Sequence, residues 1–226
     1  MSGDTPYIRY GSQEDYKRIY YSDPNSALKV PVTLQAGYGV LKQGTALAKN
    51  LSAGGNVGKL VPYNPTTYTG AEDHPGRAYL VSGPSAGQAA VFVSMNDSYK
   101  FAVGDDLIIE DDNTTSENLG AITAIDRTTY PHMAQITATT NISGAFATAN
   151  KAYVCVEAGN DSNTYSDCVG ILEKSVDTGE GQYAKGALST LIIGNCVLYT
   201  GMLTNVDAAA LVDVSGATFG NYTYIR

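Results

Sequence analysis

The stretches VPVTLQAGYGVLKQGTALAKN (residues 30–50) and CVGILEKSVDTGEGQYAKGALSTLIIGN (residues 168–195) share one grammar: short runs of Val, Leu, Ile, Thr and Ala, broken by Gly, Asp and Asn. Runs of that length and composition between turn residues read as half-buried β-strands. The chain between them, residues 76–158, carries its own evenly spaced set: RAYLVSG, AAVFVSM, KFAVGDDLIIEDD, NLGAITAID, MAQITATT and KAYVCVEAG. Even spacing of short strands points to a small sandwich or barrel. The two outer stretches therefore read as one β domain interrupted by another.

Working outward, the expected architecture is all-β: an extended N-terminal arm over 1–27, a discontinuous β domain over 28–75 and 159–226, and an inserted small β-barrel or sandwich over 76–158. A chain of 226 residues accommodates two such modules. With 24 Gly and only 16% charged residues, the composition favours strands and tight turns over long helices. One short helical turn is expected in TNVDAAALVDVSG, where Asn205 and Asp207 are capable N-caps. The alternation Val57, Lys59, Val61 predicts a strand, with the Lys59 stem lying along the surface. YNPTTYTGAEDHPGR reads as a connection between modules, and a turn is expected at Asp126 to Thr129.

A net charge of -8 argues against a nucleic-acid partner, because phosphate binding requires clustered Lys and Arg. No run approaches a membrane span, and residues 1–26 contain no apolar core of the signal-peptide kind. The expectation is a protein made in the cytoplasm, with no membrane partner. Cys155, Cys168 and Cys196 are an odd number without CxxC spacing, so they read as small buried apolar residues rather than disulfides or zinc ligands.

Chemistry-bearing patterns are sparse. Gly83-Pro84-Ser85-Ala86-Gly87 matches the G-x-S-x-G nucleophile elbow, but the elbow needs a helix after the serine, and QAAVFVSM downstream reads as a strand. His74 and His132 both neighbour Pro in loop-like sequence, without triad spacing. Asp105, Asp106, Glu110, Asp111 and Asp112 lack the calcium-loop spacing and read as a solvated strand end. The expectation is no enzyme, no metal and no cofactor.

The arm is different in kind. It concentrates Tyr7, Ile8, Arg9, Tyr10, Tyr16, Lys17, Arg18, Tyr20 and Tyr21 in a segment too polar to build a core. Tyr and Arg are enriched in binding hot spots, so these residues are candidates for ordering on a partner surface; folding back on the chain's own domain is the alternative.

VGILEKSVDTGEGQYAKGALSTLIIGNCVLYTGML (residues 169–203) resembles the core motif of the lambda-type head decoration proteins of bacteriophages, and GYGVLKQGTALAKN followed by GKLVPYN resembles their longer relatives. Residues 76–158 are similar to SH3-like small barrels found as extra modules in phage structural proteins. The resemblance implies a capsid cement: a β-rich protein, commonly a homotrimer, that binds assembled major capsid protein at three-fold and quasi-three-fold positions on the virion exterior. It also implies an arm that orders against the capsid, often by adding a strand to a sheet edge. The inserted unit is absent from the smallest members. Two other readings compete: a host-recognition module displaying glycan-binding loops on 76–158, and a small hydrolase using Ser85.

Overall fold

The structure is a computed structural model, describing residues 19–65, 74–112, 116–159, 166–216 and 222–225. Its strands in chain order are β1 (Leu28–Leu34), β2 (Val40–Leu41), β3 (Ala46–Lys49), β4 (Leu60–Pro62), β5 (Ala78–Ser82), β6 (Ala90–Ser94), β7 (Asp106–Glu110), β8 (Ser116–Asp126), β9 (Met133–Ala138), β10 (Tyr153–Val156), β11 (Cys168–Leu172), β12 (Val176–Asp177), β13 (Ala187–Gly194), β14 (Cys196–Tyr199) and β15 (Tyr222–Ile225). One α-helix, α1 (Ala208–Gly216), lies between the last two. The molecule is predominantly β, as its composition predicts.

Eleven of these strands close into two barrels, while β2 pairs with β12 and β14 with β15 in separate two-stranded sheets. The first has the order β1-β13-β11-β3-β4 and joins strands from both ends of the chain; the second, β10-β5-β6-β9-β8-β7, uses only the middle. In the first, β1 runs antiparallel to β13 from Leu28 to Leu34, whereas its closing contact with β4 is a single parallel pair, Leu34 with Leu60. Pro31, which has no N–H to donate, sits on a strand whose β4 side is paired only at Leu34, and proline is tolerated at such an edge.

Period-two burial explains the second barrel. In β9, Ala134, Ile136 and Ala138 point inward while Met133, Gln135 and Thr137 are half-exposed, and β6 buries Val91 and Val93 in the same way. Together with Phe101, Leu107, Ile109, Leu119, Ile122 and Val154 they form one apolar core, each large side chain contributing ~1.5–3 kcal/mol by leaving water. The first barrel has its own core around Leu34, Leu47, Tyr63, Ile171, Leu172 and Leu191. β10 breaks the alternation, because all four of its residues are buried. Val154 and Val156 fill the barrel, while Tyr153 and Cys155 join Ile108 in a separate cluster on its outside. A barrel strand buried on both faces marks where another body covers it.

Two local expectations are corrected. Val57 is exposed in a turn, and the strand begins only at Leu60, because the Lys59 N–H closes a β-turn onto Asn56 O at 3.0 Å. The acids after Gly104 are not a uniformly solvated strand end. Asp105 is fully buried, and Asp111 is buried as well.

The helical segment is longer than one turn, and its cap is Asp207. Its carboxylate accepts the Ala210 N–H at 2.8 Å and the Tyr63 hydroxyl at 3.0 Å. Asp207→Ala is therefore expected to destabilise the protein by ~1–2 kcal/mol in denaturant unfolding, with Asp207→Asn recovering part of the loss. No helix among the described residues is long and apolar enough to cross a membrane.

Candidate functional site

The most densely built polar region joins the two barrels. The turn before β7 aims the Asp105 carboxylate at three carboxamides of the first barrel. Gln35 Nε2 donates to Oδ2 at 3.0 Å, Asn50 Nδ2 to Oδ1 at 3.0 Å, and Asn56 Nδ2 to both oxygens at 3.2 Å. The Ala102 N–H adds a donor at 2.9 Å, and Asn50 also donates to Gln35 Oε1 at 3.0 Å. A carboxylate removed from water keeps its charge at tolerable free energy only with such a donor set. Beside it, Tyr38 Oη and Gln35 Nε2 donate to the Lys100 carbonyl, and the Asp106 N–H donates to Ser52 Oγ. Burial pushes the Tyr38 phenol well above its ordinary value, and the Asp105 carboxylate adds to the shift.

A second cluster backs the first. Arg77 Nε donates to Asn64 Oδ1 at 2.7 Å while its guanidinium lies 4.1 Å from the Tyr153 ring centroid. Asn64 Nδ2 and the Tyr153 hydroxyl both donate to the Glu110 carboxylate. Burial, and then the Glu110 charge, push the Tyr153 phenol upward. Nearby His74 Nδ1 meets Asn205 Oδ1 at 2.5 Å, and Asn205 Nδ2 donates to the Tyr63 carbonyl. A cleft of about 360 Å³ opens along this seam, with Tyr38 and Glu180 on one side and Arg77, Tyr79 and Lys100 on the other.

The backbones at the seam are almost in contact. A Cβ on Gly37, whose φ is +96°, would stand 2.3 Å from the Tyr99 carbonyl oxygen, and one on Gly54 would stand 2.7 Å from the Gly104 carbonyl carbon. Only glycine fits such approaches.

Of the sequence-derived arm candidates, Tyr7, Ile8, Arg9, Tyr10, Tyr16, Lys17 and Arg18 lie outside the described residues. Tyr20 and Tyr21 are at the root of the arm, which pairs antiparallel with β14: Tyr199 N donates to Ile19 O at 2.9 Å and Tyr21 N to Val197 O at 2.9 Å. β14 in turn pairs parallel with β15. Tyr20 is buried with Ile19 and Leu198 in the first core, with Lys29 Nζ 5.4 Å from its ring centroid. Burial first, then Glu173, raise its phenol. Tyr21 points out, 55% exposed, edge-on to Tyr199 at 5.4 Å.

The other sequence candidates are scattered. Gly83 to Gly87 join β5 to β6, so no helix follows Ser85, whose N–H donates to Gln88 Oε1 at 2.8 Å. His132 is exposed in the turn before β9. Among the described residues, no group of three or more His, Cys, Asp or Glu is arranged to hold a metal. The Asp126 turn forms as expected: hydrogen bonds from Thr129 and Thr128 hold its carboxyl well below the usual range.

All three cysteines are buried free thiols. Burial drives Cys155 well above the ordinary thiol value, Cys168 up to about 12 and Cys196 up to about 11. The thiolate is the reactive form, so a disulfide-exchange reagent at pH 8 is expected to label none of them in the folded protein and all three in denaturant.

The Asp105 and Glu110 clusters were missed by sequence reading because the side chains that hydrogen-bond within them are 13 to 89 residues apart. The available signal was local: LSAGGN, between Asn50 and Asn56, is a glycine-rich turn whose asparagines have no solvent-facing periodicity. The sequence matches no protein-family model and no curated protein.

Proposed function

We propose that the protein is a viral structural protein, a capsid decoration or cement subunit that binds the outer surface of an assembled phage shell. The observation that carries this reading is the union of the two stretches resembling decoration proteins. Residues 37–64 and 169–203, separated by the insertion, supply β3, β4, β11 and β13 to one barrel. The arm's root supports it further. Ile19 to Tyr21 pair with β14 beside that barrel, and Ile19, Tyr20 and Leu198 pack into its core, so the chain is anchored there at Ile19. In this proposal the partner is the major capsid protein, the arm supplies the contacts, and copies assemble as homotrimers at three-fold positions. Modest contacts repeated by symmetry then stabilise the shell through avidity and linkage.

The experiment is co-sedimentation of the purified protein with empty, expanded capsids of the same virus, with unassembled major capsid protein as control. Saturable binding to shells alone is expected, and deletion of residues 1–18 is expected to weaken it at least about tenfold, equivalent to ~1.4 kcal/mol. Equal binding to unassembled protein overturns the cement reading, and full binding after the deletion overturns the arm's role.

One observation favours host-glycan recognition as a second reading. Phe92 and Tyr130 form an edge-to-face pair, centroids 5.1 Å apart, on the outer side of the inserted barrel. Aromatic faces of that kind stack on sugars. A glycan array probed with the whole chain distinguishes the two readings.

A further inference from the structure

The connection between β3 and β4 carries a constellation that the binding role leaves unused. Residues 56–59 form a β-turn closed by the Lys59 N–H on Asn56 O at 3.0 Å, with Gly58 at the third position at φ +80°, the left-handed value of a type II turn. The turn folds its two end side chains together, and Lys59 Nζ stands 2.7 Å from Asn56 Oδ1. On its far side the same carboxamide gives Nδ2 to both oxygens of Asp105, at 3.2 Å each. Asn56 and Asp105 are buried, and Lys59 is half-buried with its stem reaching inward. An amine thus touches one side of an amide, and a carboxylate holds the nitrogen that would leave from the other.

We propose that Asn56 and Lys59 become joined by an intramolecular isopeptide bond, with Asp105 as the proton shuttle. Lys59 Nζ, having given one proton to solvent, turns on its flexible stem from the oxygen to the carbon and adds to Asn56 Cγ. The new C–N bond leaves an oxyanion on Oδ1 and a positive charge on the attached nitrogen. Asp105 takes a proton from that nitrogen and passes it to Nδ2, which it already contacts. The Cγ–Nδ2 bond then breaks, ammonia departs, and the carbonyl re-forms. An amine and a carboxamide become a secondary amide and ammonia, with no oxidant, reductant or co-reactant. Proximity of the kind the turn imposes substitutes for a high concentration of amine, and the carboxylate supplies general acid–base assistance. Asn50 and Gln35 have the amide and the contact with Asp105, but Lys59 is placed on Asn56.

The test is the intact mass of the full chain after prolonged incubation, compared with Lys59→Arg. The parent chain is expected to be lighter by one ammonia, to resist trypsin after Lys59, and to give no fragment ions between residues 56 and 59. Lys59→Arg, which keeps the charge but is a poor nucleophile, is expected to retain the ammonia. This variant also excludes a succinimide at Asn56, which loses ammonia without needing the lysine. Asp105→Asn is expected to slow the reaction by at least about a hundredfold, the lower end of what acid–base assistance supplies. A parent chain of full mass that trypsin cuts after Lys59, or ammonia loss persisting in Lys59→Arg, overturns the bond. Formation at the parent rate in a folded Asp105→Asn protein overturns the shuttle.

Discussion

Replacing Asp105 with alanine is expected to cost ~3–5 kcal/mol of unfolding free energy, a large share of what holds a protein of this size together. The loss comes from what remains: the side-chain amides of Gln35, Asn50 and Asn56 and the Ala102 N–H each lose a buried acceptor. A buried donor left without a partner costs ~1–3 kcal/mol, and water can enter the gap to restore only part of it. Asp105→Asn is expected to fall between parent and alanine, because an amide offers one acceptor where the carboxylate offers two. Urea unfolding followed by tyrosine fluorescence measures both. A loss below ~1 kcal/mol for the alanine variant would show that the hub is solvated and adds little.

Gly37→Ala is expected to be comparably damaging, by ~3 kcal/mol or more, through a different route. Alanine at φ +96° is strained by ~1–2 kcal/mol, and its methyl would sit 2.3 Å from the Tyr99 carbonyl oxygen, so one backbone must retreat. The retreat separates the barrels at the seam, which gives the variant a signature beyond stability. Limited proteolysis is expected to open the junction around residues 96–100 while both cores stay protected. If Gly37→Ala unfolds with the parent's midpoint and cleavage pattern, the close approach does not control the packing of the barrels.

The β character and the strand-rich middle were legible because they rest on local rules: period-two burial in β6 and β9, Gly and Asn turns, and an Asp cap on α1. The strand at Val57 was misread because alternation cannot distinguish a strand from a turn whose hydrogen bond depends on Gly58 adopting positive φ. Asp105 looked like one more surface acid for a deeper reason. Its burial depends on three amides brought in from another barrel, and no short window of sequence contains both the acid and these side-chain donors. The Tyr- and Arg-rich arm stands out in composition, yet the fate of Tyr20 was not readable, since it is paired with and packed beside Leu198, 178 residues further along the chain.

The glycine contacts at the seam also bear on how this molecule could be altered. A module joined only by two flexible linkers can be cut out and replaced by another of the same end-to-end spacing. Here the middle barrel shares a polar core with its host at Gln35, Asn50 and Asn56, and its Tyr99 and Gly104 backbone lies against Gly37 and Gly54. Excising it would leave three amides facing water and two glycines facing nothing, so the unit that can be transplanted is the pair of barrels together.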